Sequence, residues 1–239
     1  MAERVTSVAF AELVRRAERL AAQGERRLLG ICGAPGAGKS TLAARLVGAL
    51  PGRAALVGMD GFHLAQRELA RLGRADRKGA EDTFDAAGYL ELLLRLRRND
   101  SGVVYAPEFR REIEEPIACA VPVPPEVPLV VTEGNYLLHW PRVRAALDEV
   151  WFLAPDEELR LRRLVDRHRR YGRTAEQARE RALGSDQVNA ELVNAALVNT
   201  GLVNTEPAHA EPANPEPTNP GQANGSVVEA DLVFGEVVS

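Results

Sequence analysis

Apolar positions along this chain follow two periods. Residues 7 to 22 place Phe10, Leu13, Ala17 and Leu20 at helical spacing, and Thr6 or Ser7 ahead of them predicts an N-capped packing helix. Four short apolar runs read instead as buried strands: RRLLGIC (26–32), AALVGM (54–59), PLVVTEG (128–134) and DEVWFLA (148–154). Segments of helical period separate them, including AAGYLELLLRLRR (86–98), and DEELRLRRLVDRHRR (156–170) follows the fourth, so the strands are predicted to be parallel and joined by crossovers. VVYAPEF and IACAVPV predict two short strands of a flap inserted over 99–125, 156–183 a helical lid, and EADLVFGEV a last strand over 229–237. The predicted fold class is α/β, a three-layer sandwich around a mostly parallel, doubly wound sheet, with residues 1–239 as one domain.

Between the lid and the last strand the pattern breaks down. Residues 187 to 226 divide into five-residue units, QVNAE, LVNAA, LVNTG, LVNTE, PAHAE, PANPE, PTNPG and QANGS, with asparagine third in each except where His209 stands. A period of five matches neither helix nor strand, and the later units are rich in Pro, Asn and Glu; this predicts a flexible insertion. A solenoid of pentapeptide coils would need an apolar centre that these units lack.

Composition narrows the class. A net charge of −4 leaves no basic excess to neutralise a nucleic-acid backbone, so no nucleic-acid partner is expected. No apolar run approaches the ~18 residues of a membrane span, and the first helix carries Glu12, Arg15, Arg16 and Glu18 in place of a signal-peptide core. Cys32 and Cys119 are the only cysteines, consistent with reduced thiols in a soluble, cytoplasmic protein. All but two of the 30 basic residues are arginine; Lys39 and Lys78 are the exceptions, which points to positions where a compact point charge is needed.

Lys39 lies in GAPGAGKS (33–40), which satisfies G-x-x-x-x-G-K-[ST] between a strand and a helix. Gly33, Ala34, Gly36, Ala37, Gly38, Lys39, Ser40 and Thr41 are the predicted ATP-binding residues. Backbone N–H groups converge on the phosphates, Lys39 reaches the β and γ oxygens, and Ser40 ligates Mg²⁺. The helix that follows turns its positive end toward the same anion. A guanine-reading [NT]-K-x-D motif cannot be built from lysines at 39 and 78 alone, so a regulatory GTPase of the usual kind is excluded.

Asp60 follows the second strand, at the carboxyl edge where open α/β sheets bind ligands, and is the predicted catalytic base for a substrate hydroxyl; capping of the next turn is its structural alternative. Glu133 ends the third strand and is predicted to share the Mg²⁺ with Ser40. Arg163 and Arg167, four apart on the basic helix, are predicted to reach the transferring phosphoryl group, while His168 and the remaining arginines read as a solvated face. The predicted acceptor-side residues are His63, Lys78, Tyr105, Arg110, Asn135 and Tyr136.

Taken in order, GAPGAGKST, MDGFH, RKGAEDTFD, VYAPEF, VVTEGNYLL and VWFLA resemble the phosphoribulokinase/uridine kinase family of P-loop kinases. The resemblance covers about 26–189 and resumes at 230. It is closest to the branch with pantothenate kinases and nucleoside/nucleotide kinase-like proteins, some linked to fructose transport. It implies a P-loop NTPase fold and an ATP- and Mg²⁺-dependent transfer of the γ-phosphate to the hydroxyl of a small-molecule acceptor such as a nucleoside, a vitamin or a sugar. Asp60 matches the family's base, Lys39 and Ser40 its phosphate loop, Glu133 its Walker B acid, and Arg163 or Arg167 its lid arginine. Uridine kinases carry a double acid where this chain has Asp60 followed by Gly61. A homodimer is compatible with this reading. The contrasting expectation is a regulatory or assembly ATPase with no small-molecule acceptor.

Overall fold

Strands that are apolar on both faces are stable only between two helical layers. That is their setting in the computed structural model, which describes residues 6–7, 9–100, 102–199 and 233–236. In chain order the elements are β1 (Thr6–Ser7), α1 (Phe10–Ala21), β2 (Arg27–Gly33), α2 (Lys39–Gly48), β3 (Ala54–Gly58), α3 (Gln66–Arg71), α4 (Ala86–Arg98), β4 (Val104–Arg110), β5 (Glu115–Val123), β6 (Leu129–Gly134), α5 (Pro141–Ala145), β7 (Glu149–Leu153), α6 (Glu157–Arg170), α7 (Ala175–Leu183), α8 (Ser185–Asn199) and β8 (Val233–Glu236). The main sheet has the order β1-β8-β7-β2-β6-β3. Strands β7, β2, β6 and β3 are parallel, and β8 pairs antiparallel with both β7 and β1.

Alternation along β2 divides the core. Leu28 and Cys32 face a cluster with α4, α5 and α8, whereas Leu29 and Ile31 face α1 and α2. In β7, Val150 and Phe152 join the first cluster and Trp151 and Leu153 the second. Parallel pairing brings the carboxyl ends of β2, β3, β6 and β7 to one edge, with Gly58 opposite Glu133, Cys32 opposite Gly134 and Gly33 opposite Leu153. Four chain segments therefore leave the sheet side by side. Strands β4 and β5 form a separate antiparallel hairpin inside the predicted 99–125 insertion.

Two expectations are corrected. Thr6 and Ser7 do not cap α1: they form β1, and Ala9 precedes the helix without a side-chain cap. The first repeats are not a flexible insertion, because residues 187–199 continue α8. A step of five residues turns a helix by about 140°, so the repeated asparagines spread around it: Asn189 is buried while Asn194 and Asn199 are exposed. What α8 buries is a stripe at steps of three and four, Asp186, Asn189, Val193 and Ala196, with Ala190 beside it, a helical period to which only one of the repeated asparagines contributes. Residues 200–226 of the repeats, and 229–232 and 237 of the predicted last strand, lie outside the described residues. Among the described residues no helix is long and apolar enough to cross a membrane.

Candidate active site

The loop after β2 carries Gly33 to Gly38 into the N-terminus of α2, where the first turn holds no acidic residue and the backbone N–H groups are left for an anion. Ala34 and Ala37 are buried beneath the loop, and Thr41 is exposed. Gly36, at φ +85°, could not carry a side chain: a Cβ there would lie 2.7 Å from the Arg160 carbonyl. Helix α6 thus rests directly on the phosphate loop. Lys39 is buried, and its Nζ donates to the Gly33 and Ala34 carbonyls (2.8 and 3.1 Å) and to Asn135 Oδ1 (2.7 Å). Burial lowers its pKa, partly offset by Glu133, Cys32 and Asp60.

Ser40 Oγ donates to Glu133 Oε1 at 3.0 Å. Burial raises the Glu133 carboxyl, and the nearby Asp60 charge adds to this. Two hard oxygens beside a phosphate cradle fit Mg²⁺, which takes one or two protein oxygens and completes its shell with phosphate and water. Among the described residues no group of three or more His, Cys, Asp or Glu side chains could hold a metal ion alone.

Asp60 sits in a 3₁₀ turn, Met59–Phe62, directly after β3, and makes no capping bond there with its side chain. It lines the same cavity, of about 130 Å³, as Lys39, Ser40, Glu133 and Asn135. Burial opposes its ionisation, but the positive charges of His63, Arg111, Lys39 and Arg167 outweigh this and hold it below the ordinary range. Arg111, from the β4–β5 turn, pairs with it at 2.9 Å. Gly61 is held against the hairpin so closely that a Cβ would lie 2.6 Å from the Pro107 carbonyl oxygen. The second acid of uridine kinases has no room here.

Around this centre the predicted acceptor residues separate. His63 lines the cavity, its ring 4.0 Å from that of Phe84 and 4.5 Å from that of Phe109, and burial lowers its pKa. Lys78 also lines it and donates to the Glu114 carbonyl. Tyr105 does not reach it: the residue is 54 % exposed on β4 opposite Pro122. Arg110 is exposed opposite Glu115 at the end of β4, and its neighbour Arg111, in the turn that follows, pairs with Asp60 instead. Tyr136 is a support, buried, its hydroxyl donating to the cavity-lining Gly79 carbonyl at 2.8 Å.

Of the two helix arginines, Arg167 lines the cavity, while Arg163 lies over the loop with Nη1 3.5 Å from the Ala37 carbonyl. Other residues of this face are not solvated as expected. Arg160, 3 % exposed, donates to the Pro35 carbonyl (2.9 Å), to Gln187 Oε1 (2.6 Å) and to Glu157, tying the loop to α6 and α8. His168 is buried with Nε2 2.6 Å from Asp186 Oδ2, and Arg173 Nη1 is 3.1 Å from its Nδ1. A guanidinium only donates, so Nδ1 accepts and Nε2 donates to Asp186. Asn189 Nδ2 donates to the Gly79 carbonyl at 3.2 Å. The sequence signal for these residues was their place in or just after the predicted lid.

Comparison with known proteins places the chain among P-loop proteins. A family model described as AAA domain matches residues 28–192. A candidate uridine kinase of Schizosaccharomyces pombe is 33% identical over 195 residues, spanning 75% of this chain and 83% of that protein. The ATP-dependent kinase-like protein notR' of Aspergillus versicolor is 36% identical over 146 residues, 56% of this chain and 85% of the other. The crystal structure of a candidate fructose transport system kinase from Silicibacter sp. TM1040 superposes with a TM-score of 0.72 at 38% identity, covering 79% of this chain and 95% of that one.

Proposed function

The chain belongs to the AAA domain family of P-loop proteins, and from that premise we propose that it is an ATP-dependent kinase that phosphorylates the hydroxyl of a small metabolite. The observation that carries this reading is the sharing of one cavity by the Asp60 carboxylate with Lys39, Ser40 and Glu133. A second carboxylate in the cavity of the phosphate loop is placed to orient an attacking oxygen, as the catalytic aspartate of a kinase orients its acceptor hydroxyl. The kinase names of the relatives support the same reading.

In this reading ATP lies with its phosphates in the 33–40 loop, and Ser40 and Glu133 would hold Mg²⁺, which would supply charge to neutralise the phosphates. The acceptor hydroxyl faces Asp60. As its oxygen bonds to the γ-phosphorus, the bond to the ADP oxygen breaks and the hydroxyl proton passes to Asp60. A carboxylate held below its ordinary pKa is a weak base, so it orients the hydroxyl and takes the proton late, as suits a loose phosphoryl transition state. Arg167 supplies positive charge beside the transferring group, and Arg163 braces the loop. Residues 99–125 act as the acceptor-side flap and 156–183 as the lid. The protein works in the cytoplasm as one domain, with dimerisation compatible.

The test is ADP release with and without a panel of hydroxylated metabolites. Turnover should rise with an acceptor, and Asp60→Asn should lower kcat by about 10² or more with ATP KM nearly unchanged. Equal hydrolysis with and without every acceptor, or full turnover in Asp60→Asn, would overturn the reading.

A further inference from the structure

The cavity at Asp60 adjoins a second one of about 590 Å³, and the two share Lys78, Arg111, Glu114, Tyr171, Arg173 and Arg181. Four cations and one carboxylate make up most of this common wall, in a chain whose net charge is −4. The cations come from three places: Lys78 from the loop before α4, Arg111 from the β4–β5 turn, and Arg173 and Arg181 from the α6–α7 turn and α7. Three elements folded independently in sequence thus deliver like charges to one passage. Such a gathering repels itself unless an anion enters it.

The partners of these cations sharpen the point. Arg111 is closely paired, with Asp60. Arg173 donates to the imidazole of His168 (3.1 Å) and Arg181 to the Lys78 carbonyl (2.9 Å), both neutral acceptors. Lys78 donates to the Glu114 carbonyl, with Glu115 Oε2 at 4.0 Å. Arg173 and Arg181 therefore face the passage with no carboxylate bonded directly to either among the described residues, Asp186 standing behind His168, and each is a planar fork suited to carboxylate or phosphate. The cations assigned above to ATP, Lys39 and Arg167, line the inner cavity and are not part of this shared wall.

We infer that the acceptor is an anionic hydroxyl compound, a hydroxycarboxylate or a phosphorylated polyol or sugar, bound with its anion against Lys78, Arg173 and Arg181 while its hydroxyl reaches Asp60. This inference rests on the kinase reading and narrows its substrate class. A neutral polyol or free nucleoside would leave the like charges facing one another. The anion also fixes direction: it is drawn to the outer end of the passage, and the hydroxyl end enters first.

Matched acceptors test this at saturating ATP: glycerol, glycerate and glycerol phosphate, then ribose, ribonate and ribose 5-phosphate. An anionic member should exceed its neutral counterpart by at least about tenfold in kcat/KM, with the carboxylate and phosphate arms separating the two sources. Arg173→Gln and Arg181→Gln should each raise acceptor KM about tenfold or more with ATP KM within about twofold, and Arg181→Lys should recover part of the loss. Equal use of neutral acceptors, or variants that raise ATP KM instead, would overturn the anionic acceptor and leave the kinase reading standing. If no acceptor is used, thermal unfolding with ADP filling the phosphate loop decides between the two readings. Stabilisation by inorganic phosphate over matched chloride, lost in the Arg173→Gln/Arg181→Gln protein, keeps the anion site and removes the kinase reading. No such stabilisation removes the anion site.

Discussion

Asp148 illustrates how much a single carboxylate can organise when the chain brings distant donors to it. It accepts the Leu28 N–H at 2.7 Å, Arg27 at 3.0 Å and Arg97 at 2.8 Å, joining the start of β2 to α4 just before β7 begins. Burial opposes its ionisation, but the Leu28 N–H and the two guanidiniums prevail and hold its pKa below the usual value. A carboxyl whose folded pKa is depressed stabilises fully above its unfolded pKa of about 3.9, and that stability is lost as pH falls through the folded pKa. Asp148→Ala should therefore lower unfolding free energy by about 2–3 kcal/mol at pH 7, and urea titrations should show the gap to the parent narrowing near pH 3. An equal gap at both pH values would deny the charge its role. Nothing in the local sequence marks this residue, since its partners lie as many as 121 positions away. The same holds for Arg160, His168 and Arg111: a charged side chain on an amphipathic helix or hairpin reads as solvated until packing supplies a partner. Lys39, Ser40, Asp60 and Glu133 were legible because spacing within a motif, or position at a strand end, fixes their direction without knowledge of the rest.

Among the elements, α8 departs furthest from what periodicity indicates, whereas the β4–β5 hairpin stands where two flap strands were expected. The β4–β5 hairpin reaches the site by packing on the 3₁₀ turn that holds Asp60, and Gly61 allows the approach by having no side chain. Gly61→Ala should push the hairpin and its Arg111 outward. A shift of about 1 Å at a catalytic group can lower rate up to 10²-fold, so kcat should fall at least about tenfold, with ATP KM and the unfolding midpoint little changed. Unaltered kcat would show that the hairpin's close seat is not needed for turnover. Arg110 was among the expected acceptor-side residues as a cation beside aromatic groups; it lies exposed at the end of β4, and Arg111 in the turn that follows reaches Asp60, while a bulge between Ala106 and Glu108 changes the strand's register. In α8 the obvious five-residue repeat concealed a helix, because the buried positions recur at three and four and the eye follows the asparagines instead.

At the scale of the molecule, β8 joins the two ends of the described chain. Its residues pair with Trp151, Phe152 and Leu153 of β7 on one side and with Thr6 and Ser7 on the other. A chain ending at residue 232 would leave the β7 edge unpaired. Three residue pairs lost at about 1 kcal/mol each should lower unfolding free energy by about 3 kcal/mol and promote association through the bare edge. Urea unfolding and light scattering would measure both, and an unchanged midpoint would show that β8 adds nothing to the sheet. By itself the sequence determined the α/β class, the parallel strands, the phosphate loop and the carboxylates at the strand ends. Each of these depends on periodicity or on spacing within a few residues, and backbone geometry converts such spacing directly into direction. Only the tertiary structure decided that Arg111 reaches Asp60 where Arg110 does not, that Tyr136 supports a loop, that α8 continues through the first repeats, and that Lys78, Arg173 and Arg181 share one wall. Those outcomes depend on which remote surfaces meet, and side-chain charge carries no record of its partner until burial removes the water that would otherwise serve.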